Sequence, residues 1–195
     1  MIPDQYKEKV IKGKSHWIDR DSPVKTFVNA FKKEIGDPKG AKVLDIGCAQ
    51  GEHTKELSNF EMEATGLDNN PDFIKEAKEN YPELRFDVGE IEKLPYEKET
   101  FDAVYCINTL FYTDPKKSLP QLEMVLKKGG LAFITLNKQI FDIDKNKVFH
   151  SLDVDEALKI FKNCKIISKT YKERTDDSPF KHKHFFYEII LIKNK

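Results

Sequence analysis

Short apolar runs alternate with amphipathic segments along most of this chain, and that alternation constrains the fold more than any other feature. Val24, Phe27, Val28, Phe31 and Ile35 fall at helical spacing, and Asp21 or Ser22 is placed to cap that helix ahead of Pro23. Residues 42–46 then read as a short buried strand, followed by a helix over about 51–60 and a strand near 63–67. Asn70-Pro71 opens another helix, since proline is well suited to a first helical position, and 84–88 forms a third strand. Residues 101–107 are the next apolar strand, 116–127 a helix ended by Gly129-Gly130, and 131–136 another strand. A last helix over 153–163, capped by Asp153, precedes two β-rich runs, 165–171 and 184–192, joined as a hairpin. Strand and helix in repetition predict an α/β domain built on a largely parallel sheet.

Size and charge narrow the function. A chain of 195 residues fits one domain with a substantial core, so 1–195 is expected to form a single unit. Basic and acidic residues balance at 33 each, which removes the positive field that bulk nucleic acid or an anionic membrane would require. Arginines stand only at Arg20, Arg85 and Arg174, leaving few forks for bidentate phosphate contacts. Cys48, Cys106 and Cys164 are too widely spaced for a CxxC motif, and an odd number suits reduced thiols. With no signal-peptide block near Met1 and no run of about 18 apolar residues, a cytoplasmic location is expected.

In an open parallel sheet, ligands bind beyond the carboxyl ends of the strands. The first strand ends in Val43-Leu44-Asp45-Ile46-Gly47-Cys48-Ala49-Gln50-Gly51 and runs directly into a helix. Glycines there let backbone approach a ligand, and the helix N-terminus offers free N–H groups. A dinucleotide fingerprint, G-x-G-x-x-G, fails at Ala49 and again at Glu52. No P-loop occurs either, and Asp45 with Glu52 would repel a pyrophosphate. The loop therefore suits a nucleotide-like ligand without phosphates.

These residues resemble the first motif of the class I S-adenosylmethionine-dependent methyltransferases, with Ala49 in place of the middle glycine. The likeness continues at Gly66-Leu67-Asp68, where the acidic residue, with Asn69 beside it, is expected to accept from both ribose hydroxyls. Val88-Gly89-Glu90-Ile91-Glu92-Lys93-Leu94-Pro95-Tyr96 looks like the family segment in which Glu90 faces the adenine amino group and the Ile91 N–H meets a ring nitrogen. Phe101 to Ile107 resembles the fourth-strand motif, which places Cys106 and Ile107 near the methionine portion. Leu126-Lys127-Lys128-Gly129-Gly130-Leu131 matches the family's glycine turn. The resemblance covers roughly 40–136 and is nearest to the small type 11 methyltransferases. It implies a Rossmann-like, doubly wound seven-stranded sheet of order 3-2-1-4-5-7-6 with the last strand antiparallel. It also implies a helical segment over 1–38, carrying Tyr6 and Trp17, that lids the cofactor, and a helix and hairpin over 137–195.

The cofactor implied is S-adenosylmethionine, with S-adenosylhomocysteine as product and a small molecule as methyl acceptor. The predicted cofactor-contacting set is Asp45, Gly47, Cys48, Ala49, Gln50, Gly51, Asp68, Asn69, Glu90, Ile91, Cys106 and Ile107, although small buried thiols at 48 and 106 equally serve packing. Because the sulfonium already activates the methyl group, a general base is needed only where the acceptor still carries its proton. Candidates for that role are His182 and His184, which share one strand face, and then Tyr112. Two histidines without a third partner do not make a metal site, so no metal is expected. The alternative reading is a non-catalytic protein that binds S-adenosylmethionine.

Overall fold

A computed structural model of the chain describes residues 22–176 and 181–195; Tyr6 and Trp17 of the expected lid lie outside them. Helix α1 spans Pro23–Glu34, started by the Ser22 hydroxyl accepting from the Val24 N–H and by proline in its first turn. Strand β1 (Lys42–Ile46), helix α2 (Glu52–Asn59), strand β2 (Glu63–Asp68), helix α3 (Pro71–Asn80) and strand β3 (Arg85–Val88) follow. Strand β4 (Phe101–Cys106) leads through a short 3-10 turn, Leu110–Tyr112, into helix α4 (Pro115–Val125). The chain closes with β5 (Leu126–Asp142), β6 (Lys147–Ser151), α5 (Val154–Leu158), β7 (Cys164–Asp176) and β8 (His182–Lys193).

The strands form one sheet of order β3-β2-β1-β4-β5-β8-β7, with β6 pairing only the far end of β5. From β3 to β5 all pairings are parallel, whereas β8 lies antiparallel to both β5 and β7. This is the expected strand path. The strands expected sixth and seventh are β7 and β8, because the short β6 intervenes. Alternate residues of the central strands point to two separate cores, as a sheet covered on both faces requires. Leu44, Ile46, Val104 and Ile134 pack with Leu119 and Leu122 of α4 and Val154 of α5. Val43, Ala103, Tyr105 and Phe133 pack with Val24, Phe27, Val28 and Phe31 of α1 and Leu57 of α2.

Three expected boundaries are corrected. Gly129-Gly130 does not end a helix: α4 passes into β5 at Leu126, and Gly129, at φ +74°, lies where the β4–β5 register shifts between Phe101 and Ala103. The helix expected over 153–163 is one short turn-and-a-half, Val154–Leu158, whose start is held by Asp153 accepting from the N–H groups of Asp155 and Glu156. Strand β5 also runs to Asp142, well past the expected 136, through the polar stretch Asn137-Lys138-Gln139.

Candidate functional site

Strand β1 has β2 on one side and β4 on the other, so the chain's crossovers leave it in opposite directions and a crevice opens where they part. The loop that floors this crevice holds three residues in the left-handed region: Gly47 at φ +77°, Ala49 at +46° and Gly51 at +92°. The N–H groups of Gly47 and Cys48 donate to the Leu67 carbonyl at 2.7 and 3.1 Å, and that of Gly51 to Cys48 at 2.9 Å. These bonds turn the chain tightly into α2. Gly51 caps that helix with no side chain, which leaves first-turn N–H groups for a ligand.

Gly47 has a second constraint that its sequence context did not reveal. A β-carbon there would lie 1.9 Å from the Thr109 hydroxyl, which donates to the carbonyls of Ile46 at 3.0 Å and Ile107 at 3.1 Å. Thr109 thus clamps the exit of β4 onto the loop after β1. Asn108, at φ +57°, supports the same exit by donating its N–H to the Thr135 hydroxyl at 2.7 Å.

Asp45 is 2 % exposed and accepts from the Thr54 hydroxyl at 2.6 Å. Burial pushes its carboxyl up to about 7; the Thr54 hydrogen bonds oppose that rise, and the carboxylates of Asp68 and Glu52 reinforce it. Asp68 ends β2 with both oxygens oriented by backbone: Oδ2 accepts from the Ala49 N–H at 3.1 Å and Oδ1 from the Asn70 N–H at 2.9 Å. Burial raises its pKa also, against those amides, and Glu90 adds to the rise. The Asn69 side-chain amide donates to Glu90 at 3.4 Å, which draws the third-strand loop towards Asp68. Gln50, partly exposed, sits on the crest of the loop.

Other expected members hold their side chains in or against the cores. Cys106 and Ile91 are buried in the α4-side core, and Ile107 packs against the α1-side core. Cys48 is buried too, with its sulfur where a β-carbon on Gly66 would be 2.8 Å away. Burial drives both thiols well above the ordinary cysteine range, so neither is a nucleophile at neutral pH.

The three candidates for proton handling separate in space. Tyr112 lies on the turn after β4, 47 % exposed, with its ring edge-on to Phe111 at 4.8 Å. His182 and His184 are 1 % and 5 % exposed, on the start of β8. His184 pairs with Ile140, six residues along β5 from Ile134, the partner of Cys106. At roughly 3.3 Å per residue that is about 20 Å along the strand from the end of β4. What sequence spacing did not supply, the fold does: Asp176 of β7 stands directly opposite His182.

A family model described as a methyltransferase domain matches residues 44–134. A ubiquinone biosynthesis O-methyltransferase of Xanthomonas axonopodis pv. citri is 31% identical over 137 residues, covering 64% of this chain and 57% of that protein. The chain thus spans little more than half the length of the curated relatives it matches. Among solved structures, a SAM-dependent methyltransferase from Methanosarcina mazei superposes with a TM-score of 0.70 at 18% identity, over 85% of this chain and 97% of that one. The [4+2]-cyclase SpnF superposes at 0.65 with 12% identity, over 94% and 85%. These two likenesses speak for the fold alone.

Proposed function

We propose methyl transfer from S-adenosylmethionine to a small-molecule acceptor, on the premise that residues 44–134 match the methyltransferase-domain family in a chain with the fold of S-adenosylmethionine-dependent methyltransferases. The observation that carries the proposal is the crevice at β1, where Asp68 is held by the Ala49 and Asn70 N–H groups beside a side-chain-free helix start. An acceptor-only carboxylate fixed in this way suits a vicinal diol. The crevice also gathers acidic groups: the carboxylates of Asp68 and Glu52 add to the raised pKa of Asp45, and Glu90 adds to that of Asp68. Such a field favours a cationic sulfonium and opposes a pyrophosphate. The residues therefore fit the cofactor.

In this reading Asp68 accepts from the ribose hydroxyls, Glu90 takes the adenine amino group, and the backbone of Gly47 to Gly51 carries the methionine portion. The bound cofactor supplies a methyl group already activated on sulfur. The chain's own task is to align the acceptor in line and exclude water, which accounts for much of the acceleration in transfers of this kind. Phe111 and Tyr112 border the β4 exit and are proposed to face the acceptor. The name of the Xanthomonas relative makes an oxygen acceptor, such as a phenol, the first class to test. Tyr112, rather than the buried histidines, then borders the acceptor; as a neutral phenol it would orient the acceptor O–H through a hydrogen bond, and the proton would leave to water.

Calorimetry with S-adenosylmethionine and S-adenosylhomocysteine, followed by methyl-labelled cofactor with the small-molecule fraction of a cell extract, tests the proposal. Saturable binding of both and a labelled low-mass product are expected. Binding without transfer would favour the non-catalytic alternative, and absence of binding would overturn the assignment of the crevice.

A further inference from the structure

The geometry points to a divalent transition-metal site formed by His182, His184 and Asp176 at the joined ends of β7 and β8. One ligand atom from each lies within 4.8 Å of the other two. His184 Nε2 is 3.1 Å and His182 Nε2 is 3.9 Å from Asp176 Oδ2. Ligands on a tetrahedral ion with bonds of about 2.1 Å sit roughly 3.4 Å apart, so these separations straddle what a metal would set. The two rings are inclined at 62° with centroids 4.7 Å apart, converging rather than stacking. Both ring nitrogens of His184 are buried; Nδ1 makes no hydrogen bond among the described residues, while Nε2 meets Asp176 Oδ2 in a poorly directed contact that coordination would replace.

Two imidazoles and a carboxylate select zinc, cobalt, iron or manganese over magnesium or calcium. Arg174 is the opposing element: its Nε and Nη2 lie 3.1 and 2.9 Å from the same Asp176 oxygen. A metal held through Oδ2 would compete with Arg174 for that oxygen, so the guanidinium would turn aside to the other carboxylate oxygen when the ion binds. Its positive charge weakens binding of a dication, so the site is expected to hold metal less tightly than a neutral surround would allow. The nearby Asp142, buried opposite His182 on β5 and 3.6 Å from Lys145 Nζ, offsets part of that charge. Once bound, the ion would cross-link β7 to β8.

Zinc titrated by calorimetry into the chelator-treated chain is expected to bind at one equivalent and to raise the melting midpoint. His184→Ala and Asp176→Asn should each weaken binding about tenfold or more, whereas Arg174→Gln, which removes a competing cation, should hold or tighten it. Cobalt added to the unmodified chain should give visible bands of nitrogen and oxygen ligation without a thiolate charge-transfer band. That spectrum decides the matter if the variants do not fold. No one-equivalent uptake, uptake unchanged in His184→Ala, or a thiolate band removed by Cys164→Ser would overturn the site. None of these measurements involves S-adenosylmethionine, so the metal site and the methyl-transfer proposal stand or fall separately.

Discussion

The two sides of the sheet solve the end of a strand differently. On the β3-β2-β1-β4 side, strands of four to six residues stop abruptly, and their loops carry the left-handed residues Gly47, Ala49, Gly51 and Asn108. On the β5-β8-β7 side, strands of 12 to 17 residues run on past the end of β4, and antiparallel ladders pair the backbone along that extension, with Gly129 in β5 and Asn146 in the β5–β6 turn the left-handed residues among those described there. The first arrangement exposes amides and carboxylates to a ligand at the cost of backbone strain; the second covers its polar groups and leaves His182 and His184 buried. Ligand binding thus belongs where the ladder stops.

Two glycines with nearly the same backbone angle test that contrast most severely. Gly47→Val combines a β-branched residue at φ +77° with a collision against Thr109, and an expected loss of roughly 3 kcal/mol or more in stability. Gly129 has φ +74° but nothing within 4 Å of a β-carbon, so Gly129→Ala should lose only about 1 kcal/mol. Denaturant unfolding of both variants makes the comparison; similar losses would mean that the crevice loop is no more tightly built than the turn into β5.

The buried Asp45 sharpens it further. Its carboxyl titrates near 7 in the folded protein against 3.8 as the ordinary value, so the native state holds the extra proton between roughly pH 4 and pH 7. Its contribution therefore makes stability fall as pH rises through that window and levels off above about 7. Asp45→Asn keeps the Thr54 contact and removes the titration. Relative to the unmodified chain, the variant should gain stability from pH 5 to pH 8, by up to a few kcal/mol, while binding the cationic cofactor more weakly. Parallel stability curves for the two proteins would show that Asp45 does not carry this load.

Asp68→Ala should weaken cofactor binding by roughly 1.5 to 3 kcal/mol, because it removes a charged acceptor and leaves the ribose hydroxyls unpaired. An unchanged dissociation constant would remove Asp68 from the ribose position.

The same contrast explains what could be read in advance. The crevice was legible because glycine and acidic residues at Gly47, Gly51, Asp45 and Asp68 are unusual choices with few other purposes at that spacing. Thr54 and Thr109 were not, since a threonine that bonds a distant carboxylate or carbonyl looks in sequence like any other. The apolar pattern of strand β5 stops at Leu136, where Asn137-Lys138-Gln139 breaks it. The strand's continuation is set by pairing with β8, a long-range contact with no local signature. For the same reason 165–171 ended before Arg174 and Asp176, which read as polar hairpin residues until β8 placed His184 and His182 opposite them.

The smallest expected effect lies in the residue that departs from the glycine pattern. Ala49 holds φ +46°, a region in which an L-residue is strained by roughly 1 kcal/mol, yet its N–H is needed there to reach Asp68 at 3.1 Å. Ala49→Gly releases that strain but adds conformational freedom to the unfolded chain, which offsets about half of the gain. A net stabilisation of a few tenths of a kcal/mol is expected, with cofactor affinity retained because the amide that orients Asp68 remains. Glu61, just after α2 at φ +62° and remote from the ligand crevice, supplies the control. Glu61→Gly should give a similar gain, since both substitutions relieve the same backbone conformation. If Ala49→Gly instead lowers stability or loosens the cofactor while Glu61→Gly behaves as expected, the alanine methyl is a packing element of the crevice floor, and the strain at 49 holds the loop in its ligand-ready shape.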